Sequence, residues 1–178
     1  MHCQLILGGA RSGKSSYAQA FAEEWAQATG VKAIYVATAE AGDAEMSKRI
    51  ERHQKSRSEN WLLDEEPLDL AAAIERNAGP DAIVLIDCLT LWLSNCLQQN
   101  IWEEQLAKFK TALENAKGPI ILVNNETGMG VVPMGELSRV FVDANGFLNQ
   151  RLAKVCGKVV LIVAGLPQVL KNEASWCE

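Results

Sequence analysis

The run Gly8-Gly9-Ala10-Arg11-Ser12-Gly13-Lys14-Ser15 sets a lysine and a hydroxyl behind a glycine-rich stretch, in the spacing G-x-x-x-x-G-K-S. That spacing suits a nucleoside triphosphate. Glycines let the backbone curl until successive N–H groups face inward, and a helix starting at the end of the loop adds partial positive charge. Lys14 would reach the β and γ phosphates, and Ser15 would ligate Mg2+. The competing reading is a glycine-rich turn without a ligand, which the position of the run between an apolar strand and a helical pattern disfavours.

Two further features carry candidate chemistry. Asp87 ends the apolar run Ala82-Ile83-Val84-Leu85-Ile86, the presentation expected of a carboxylate facing the magnesium of such a loop; the alternative is an aspartate at the start of the following helix. The segment Asp43 to Arg57 reads as a helix in which Lys48, Arg49, Arg52, Lys55 and Arg57 stand against the single acid Glu51. Acids early and bases late also suit a solvated surface helix, through its dipole. His53 lies between the apolar and basic stripes of that helix. A neutral imidazole can attack phosphorus, and nearby cations favour the neutral form while holding the phosphates under attack.

These residues need a frame. Apolar runs without alternation, as in strands covered on both faces, occur at Gln4 to Leu7, Ala33 to Ala37, Ala82 to Ile86, Ile120 to Val123 and Val159 to Ala164. Helical stripes separate them: Tyr17, Phe21 and Trp25, stopped by Gly30; Leu89, Trp92, Leu93, Cys96 and Leu97; Trp102, Leu106, Phe109 and Leu113; and Leu137, Val140, Phe141, Ala144 and Leu148. Alternation of strand and helix predicts a single α/β domain over residues 1–178, of the P-loop NTPase fold, with a mostly parallel central sheet and helices on both faces. Ligands in such folds sit at the carboxyl ends of the strands. There the loop Asn124-Asn125-Glu126-Thr127-Gly128-Met129-Gly130 offers Asn125 and Glu126 to a substrate, or simply makes a turn. The Asp64-Glu65-Glu66 cluster is open between a site and a solvated edge.

Bulk properties narrow the partners. The chain has 178 residues, 48% hydrophobic and 22% charged, ordinary for a compact domain. Its net charge of -5 argues against general affinity for nucleic acid or an anionic membrane, so an anionic ligand must be met locally. Five scattered cysteines and two histidines suggest neither a disulfide framework nor a zinc site. Without a leader pattern or a long apolar span, a cytoplasmic protein with reduced thiols is expected.

Taken together the motifs resemble the bifunctional adenosylcobinamide kinase and adenosylcobinamide-phosphate guanylyltransferase family of cobalamin biosynthesis. The resemblance rests on Gly8 to Ser15, on Tyr35-Val36-Ala37-Thr38-Ala39, on Arg49-Ile50 with His53 and Arg57, on Asn125-Glu126-Thr127-Gly128-Met129-Gly130 ending at Pro133, and on Asn149-Gln150-Arg151-Leu152. It implies phosphoryl transfer from ATP or GTP to adenosylcobinamide, followed by guanylyl transfer through a histidine. It also implies that His53 is the nucleophile and that nucleotide contacts extend over Ala37, Thr38, Ala39, Gln54, Lys55, Ser56, Arg57, Glu65 and Asp87. Members are typically trimers, so a homo-oligomer is expected. Some relatives carry two adjacent histidines where this chain has Arg52 beside His53; the segment from Gln168 onward matches no pattern. Two other readings compete: a simple kinase of a small metabolite in which His53 is incidental, and a GTP-dependent switch, which lacks an N-K-x-D motif for guanine.

Overall fold

The structure is a computed structural model, which describes residues 3–39 and 61–173. Seven strands form one sheet: β1 (Cys3–Gly8), β2 (Lys32–Ala37), β3 (Trp61–Glu65), β4 (Ala82–Asp87), β5 (Ile120–Asn125), β6 (Lys158–Val163) and β7 (Leu166–Asn172). Their spatial order is β3-β2-β4-β5-β1-β6-β7. The first six run parallel, and β7 turns back antiparallel on β6. Five helices accompany them among the described residues: α1 (Lys14–Thr29), α2 (Leu70–Asn77), α3 (Leu89–Gln98), α4 (Trp102–Asn115) and α5 (Glu136–Val155).

The pleat divides the core in two. Leu5, Leu7, Ile34, Val36, Val84, Ile86 and Leu122 pack with α2 to α5, through residues such as Ile74, Trp92, Phe109 and Leu148. Their alternates Ile6, Ala33, Tyr35, Ile83, Leu85, Ile121 and Val123 pack with α1, through Ala18, Ala22 and the partly buried Tyr17, Phe21 and Trp25. Period-two exposure of a strand apolar on both sides therefore demands cover on both faces, and supplies it unevenly: one helix against four. The expected mostly parallel α/β sheet and its two helical layers are present.

Each helix has a local cause. α1 stops at Gly30, whose N–H returns to the Ala26 carbonyl at 2.9 Å. α2 starts at Asp69, whose carboxylate accepts from Ala72 N at 3.0 Å. The α3–α4 corner is aromatic: Trp92 packs on Trp102 and Phe109 with ring centroids 5.3 and 4.8 Å apart, and its indole N–H donates to the Leu68 carbonyl.

Four elements depart from the sequence expectation. β3 and α2 lie in a stretch where neither was expected. β3 is a five-residue edge strand whose Leu62 and Leu63 stay exposed, so its sequence never shows burial. β7 occupies part of the segment that matches no pattern; it is an exposed edge strand, and edge strands need no apolar run. In α5 the expected stripe holds only at its C-terminal end: Leu137 and Val140 are exposed, and the buried residues are Asn145, Leu148, Asn149 and Leu152. The expected helix over 43–57 lies outside the described residues. Truncating the buried aromatic corner with Phe109→Ala is expected to cost about 3–5 kcal/mol, read as a lower midpoint in urea unfolding.

Candidate active site

Register brings the candidate residues to one edge. Gly8 at the end of β1 lies opposite Asn125 of β5, Asp87 of β4 opposite Val123, and Ala37 of β2 opposite both Asp87 and Glu65. The carboxyl ends of five neighbouring parallel strands thus present Glu65, Ala37, Asp87, Asn125 and Gly8 in a row, with β5 separating the loop strand from the Asp87 strand.

The phosphate loop leaves β1 at Gly8 and enters α1 at Lys14. Its curl needs two glycines for different reasons. At Gly8 a Cβ would fall 2.4 Å from Ser12 Oγ and 2.7 Å from the Ile162 carbonyl oxygen. At Gly13 the backbone has φ 96°, which L side chains rarely adopt, and Arg11 shares the left-handed region at φ 60°. Lys14 is 7% exposed and its ammonium reaches back to the Gly9 carbonyl at 3.4 Å. Ser15, in the first turn of α1, is half-buried; Gly9, Ala10 and Arg11 are exposed, and Ser12 is half-buried. The buried Ser12 Oγ has no hydrogen-bond partner.

The loop is pinned from outside at both ends. Glu126 N donates to the Gly8 carbonyl at 3.0 Å, and Gly165 N donates to the Ser12 carbonyl at 2.8 Å. Gly165 belongs to the tight β6–β7 hairpin, where Ala164 and Gly165 have φ 51° and 81°, the pair of positive values that a two-residue turn of this hand requires. The overlooked β7 therefore buttresses the feature most visible in the sequence.

Asp87 accepts a 3.1 Å hydrogen bond from the Tyr35 hydroxyl, which fixes one carboxylate oxygen. The Cys88 thiol beside it is pushed up from its ordinary pKa, first by burial and then by the Asp87 charge, so it stays protonated and is a poor nucleophile. The Lys14 charge acts on the same thiol in the opposite sense. Ser15 and Asp87 supply one hydroxyl and one carboxylate, hard oxygen donors of the kind that hold Mg2+ together with substrate phosphates. No group of three or more acids, histidines or cysteines able to enclose a metal occurs among the described residues. The donor set thus fits Mg2+ shared with a nucleotide, rather than a closed protein cage.

The other candidates have mixed surroundings. Thr38 is fully buried: its hydroxyl donates to the Cys88 carbonyl at 2.7 Å and accepts from Cys88 N at 2.9 Å, tying the ends of β2 and β4 together. Its side chain shapes the edge from within, whereas Ala39 is half-buried beside it. Within the acidic cluster, Asp64 and Glu66 are engaged by Arg76, at 3.0 and 3.3 Å, and only Glu65 is exposed. Glu126 accepts from Gly128 N at 2.6 Å, which folds the start of its loop back on itself. His53, Gln54, Lys55, Ser56 and Arg57 lie outside the described residues.

Sequence reasoning overlooked Thr90 and Asn145, which bond to the strand end at Asn124-Asn125. A readable signal existed: Asn145 and Asn149, four residues apart, interrupt the stripe of Leu148 and Leu152, and amides in a core stripe need partners.

Because a Cβ at Gly8 would meet the Ser12 side chain and the Ile162 carbonyl, Gly8→Ala is expected to destabilise by about 1–3 kcal/mol. Gly9→Ala, whose Cβ would meet nothing within 4 Å, should stay within about 0.5 kcal/mol of the parent. Paired denaturation curves test the contrast.

Known proteins resemble this chain along its whole length. Residues 4–170 match the family described as cobinamide kinase / cobinamide phosphate guanyltransferase. A bifunctional adenosylcobalamin biosynthesis protein, CobP of Pseudomonas aeruginosa, is 49% identical over 173 residues, covering 95% of this chain and 97% of that one. The bifunctional adenosylcobalamin biosynthesis protein CobU of Escherichia coli is 33% identical over 183 residues, covering 94% and 98%. Among solved structures, the flagellar accessory protein FlaH of Methanocaldococcus jannaschii superposes with a TM-score of 0.54 at 16% identity, over 97% of this chain and 79% of that one, a likeness of fold alone. With a phosphate loop between β1 and α1 and a family match spanning nearly every described element, the chain belongs to the cobinamide kinase / cobinamide phosphate guanyltransferase family.

Proposed function

We propose that this chain performs both transfers that its family is named for. In the first, the hydroxyl of the aminopropanol arm of adenosylcobinamide attacks the γ-phosphorus of ATP or GTP and the nucleoside diphosphate leaves. In the second, a ring nitrogen of His53 attacks the α-phosphorus of GTP and pyrophosphate leaves. A phosphate oxygen of adenosylcobinamide phosphate then displaces His53, giving adenosylcobinamide-GDP. The observation that carries this reading is the phosphate loop, with its buried Lys14, in a chain whose family match runs from residue 4 to 170.

Each candidate residue takes a proposed role. Gly8 to Ser15 cradle the β and γ phosphates, and Lys14 offsets the charge that develops there during γ transfer. Ser15 and Asp87 would hold Mg2+, which when bound would neutralise phosphate oxygens. Ala37, Thr38, Ala39 and Glu65 border the nucleotide on the β2–β3 side, and Asn125 and Glu126 face the acceptor. By family resemblance, Gln54, Lys55, Ser56 and Arg57 contribute nucleotide contacts beside the nucleophile His53. A covalent step divides one difficult transfer into two with positioned nucleophiles. Four described cysteines, Cys3, Cys88, Cys96 and Cys156, are free thiols, which supports a cytoplasmic setting.

A homo-oligomer, a trimer by family resemblance, completes the proposal. The loop after Glu126 and the start of α5 expose Met129, Val131, Val132, Met134 and Leu137, with Val131 and Met134 each 97% accessible. Arg139 holds this apolar apron in place through the Pro133 and Met134 carbonyls. Exposed apolar residues gathered in this one segment support a contact with another copy of the chain. Met134→Glu with Leu137→Glu is expected to lower the mass measured by sedimentation equilibrium to that of a monomer; an unchanged assembly would exclude this surface as the contact.

The chemistry is tested with GTP labelled at the α or γ position. An acid-labile, alkali-stable α-labelled protein adduct, lost in His53→Ala, is expected, and Lys14→Ala should lower γ transfer by about 100-fold or more. Intact γ transfer without any adduct would leave a simple kinase.

A further inference from the structure

The end of β5 is held by a closed circuit of side-chain hydrogen bonds. The circuit starts at Asn125 N, which donates to Thr90 Oγ1 of α3 at 2.9 Å. That hydroxyl donates to Asn124 Oδ1 at 2.7 Å. The fully buried Asn124 then spends both amide hydrogens on α5, on Asn145 Oδ1 at 2.9 Å and Asn149 Oδ1 at 2.7 Å. Asn145 closes the circuit: its Nδ2 donates to the carbonyl of Asn125 itself at 2.8 Å and to Thr127 Oγ1 at 2.9 Å. The next amide along the chain, Glu126 N, is the one that donates to Gly8 at the root of the phosphate loop.

Asn145 and Asn149 look alike in the sequence but not in this circuit. Both accept from Asn124. Only Asn145 also donates to the loop, whereas the buried Nδ2 of Asn149 has no partner among the described residues. A side-chain amide is suited to the Asn145 task because it presents an acceptor to Asn124 and donors to Asn125 and Thr127 from one planar group. At 1% exposure the group cannot exchange these partners for solvent.

We infer that Asn145 is a positioning residue of the transfer reactions: through Asn125 and Thr127 it sets the strand-end loop carrying Glu126 against the phosphate loop, without itself touching substrate. This inference rests on the proposed function for its kinetic consequence, and on geometry alone for its structural one.

Asn145→Asp and Asn149→Asp form a matched pair. Each places a carboxyl in the same core and keeps an acceptor for Asn124, but only Asn145→Asp removes donors from the loop. Asn145→Asp is expected to lower kcat by about 10–100-fold while KM for the nucleotide stays within about threefold, and Asn149→Asp should hold kcat within about threefold. Amide hydrogen exchange over residues 120–130 should quicken in Asn145→Asp and not in Asn149→Asp. Thr127→Val, which removes the acceptor from the loop side and leaves the core untouched, should lower kcat in the same direction, with Thr127→Ser restoring it; this arm decides the matter if Asn145→Asp does not fold. Equal kcat losses in the two Asp variants that track their melting temperatures, or full activity in Thr127→Val, would overturn the inference. If the parent protein transfers neither phosphoryl nor guanylyl groups, the functional reading falls, and the exchange comparison alone decides whether Asn145 holds the loop.

Discussion

A phosphate cradle has to turn backbone N–H groups toward a ligand, so it cannot be stabilised as a strand or helix is, by spending those groups on itself. In this protein the loop between Gly8 and Lys14 is instead secured through its carbonyls. Glu126 N takes the Gly8 carbonyl and Gly165 N takes the Ser12 carbonyl, at 3.0 and 2.8 Å. One bond comes from the end of β5 and the other from the β6–β7 turn, the two strands that flank β1. Carbonyl anchoring from both neighbours fixes the cradle without drawing on its N–H groups, of which Ser12 N turns inward to the Gly9 carbonyl at 3.2 Å, and much else in the fold serves those two anchors. The Asn124-Asn145 circuit steadies the first. The hairpin that β7 closes steadies the second.

The same economy explains two of the buried polar groups, Asn124 and Thr38. A core asparagine is costly unless its amide is satisfied, with an unmade buried bond worth about 1–3 kcal/mol. Asn124 meets that demand completely, through Thr90, Asn145 and Asn149. Thr38 does likewise through both backbone groups of Cys88. Both residues sit one position beyond the apolar part of their strands, where the core gives way to the edge that meets the ligand. Polar groups there allow a strand to end in a defined loop without opening the core to water.

What the sequence discloses follows from how local each signal is. The phosphate loop, Asp87 and the five central strands are legible because their causes lie within a few residues: glycine spacing, and apolar runs covered on both faces. β3 and β7 are not, because an edge strand is defined by its one neighbour, and neither Trp61-Leu62-Leu63-Asp64-Glu65 nor Leu166 to Asn172 carries a burial pattern of its own. The outward turn of Leu137 and Val140 is illegible for the opposite reason. Their spacing is that of a core stripe, but among the described residues no apolar surface covers that end of α5. Asn145 shows the intermediate case: its position in the stripe of Leu148 and Leu152 flags it, but only the fold reveals that its partners are the carbonyl of Asn125 and the hydroxyl of Thr127.

Charge distribution bears on how one pocket could serve two phosphorus centres. The chain is acidic overall, and five of its twelve described lysines and arginines are engaged away from the phosphate loop. Arg76 pairs with Asp64 and Glu66, Lys108 with Glu104, Lys110 with Glu114 and Lys171 with Glu173, while Lys158 lies over the Phe21 ring. On the proposed mechanism Lys14 serves the β and γ phosphates during γ transfer. Attack at the α-phosphorus develops charge several ångströms away, where Coulomb attraction to the same lysine is weaker. Five of the chain's 17 lysines and arginines fall between Lys48 and Arg57, around His53. On the proposed mechanism the two chemistries therefore draw on separate cation sets, one fixed in the phosphate loop and one carried with the nucleophile. An acidic protein can then bind a polyanion at one edge while the rest of its surface repels others.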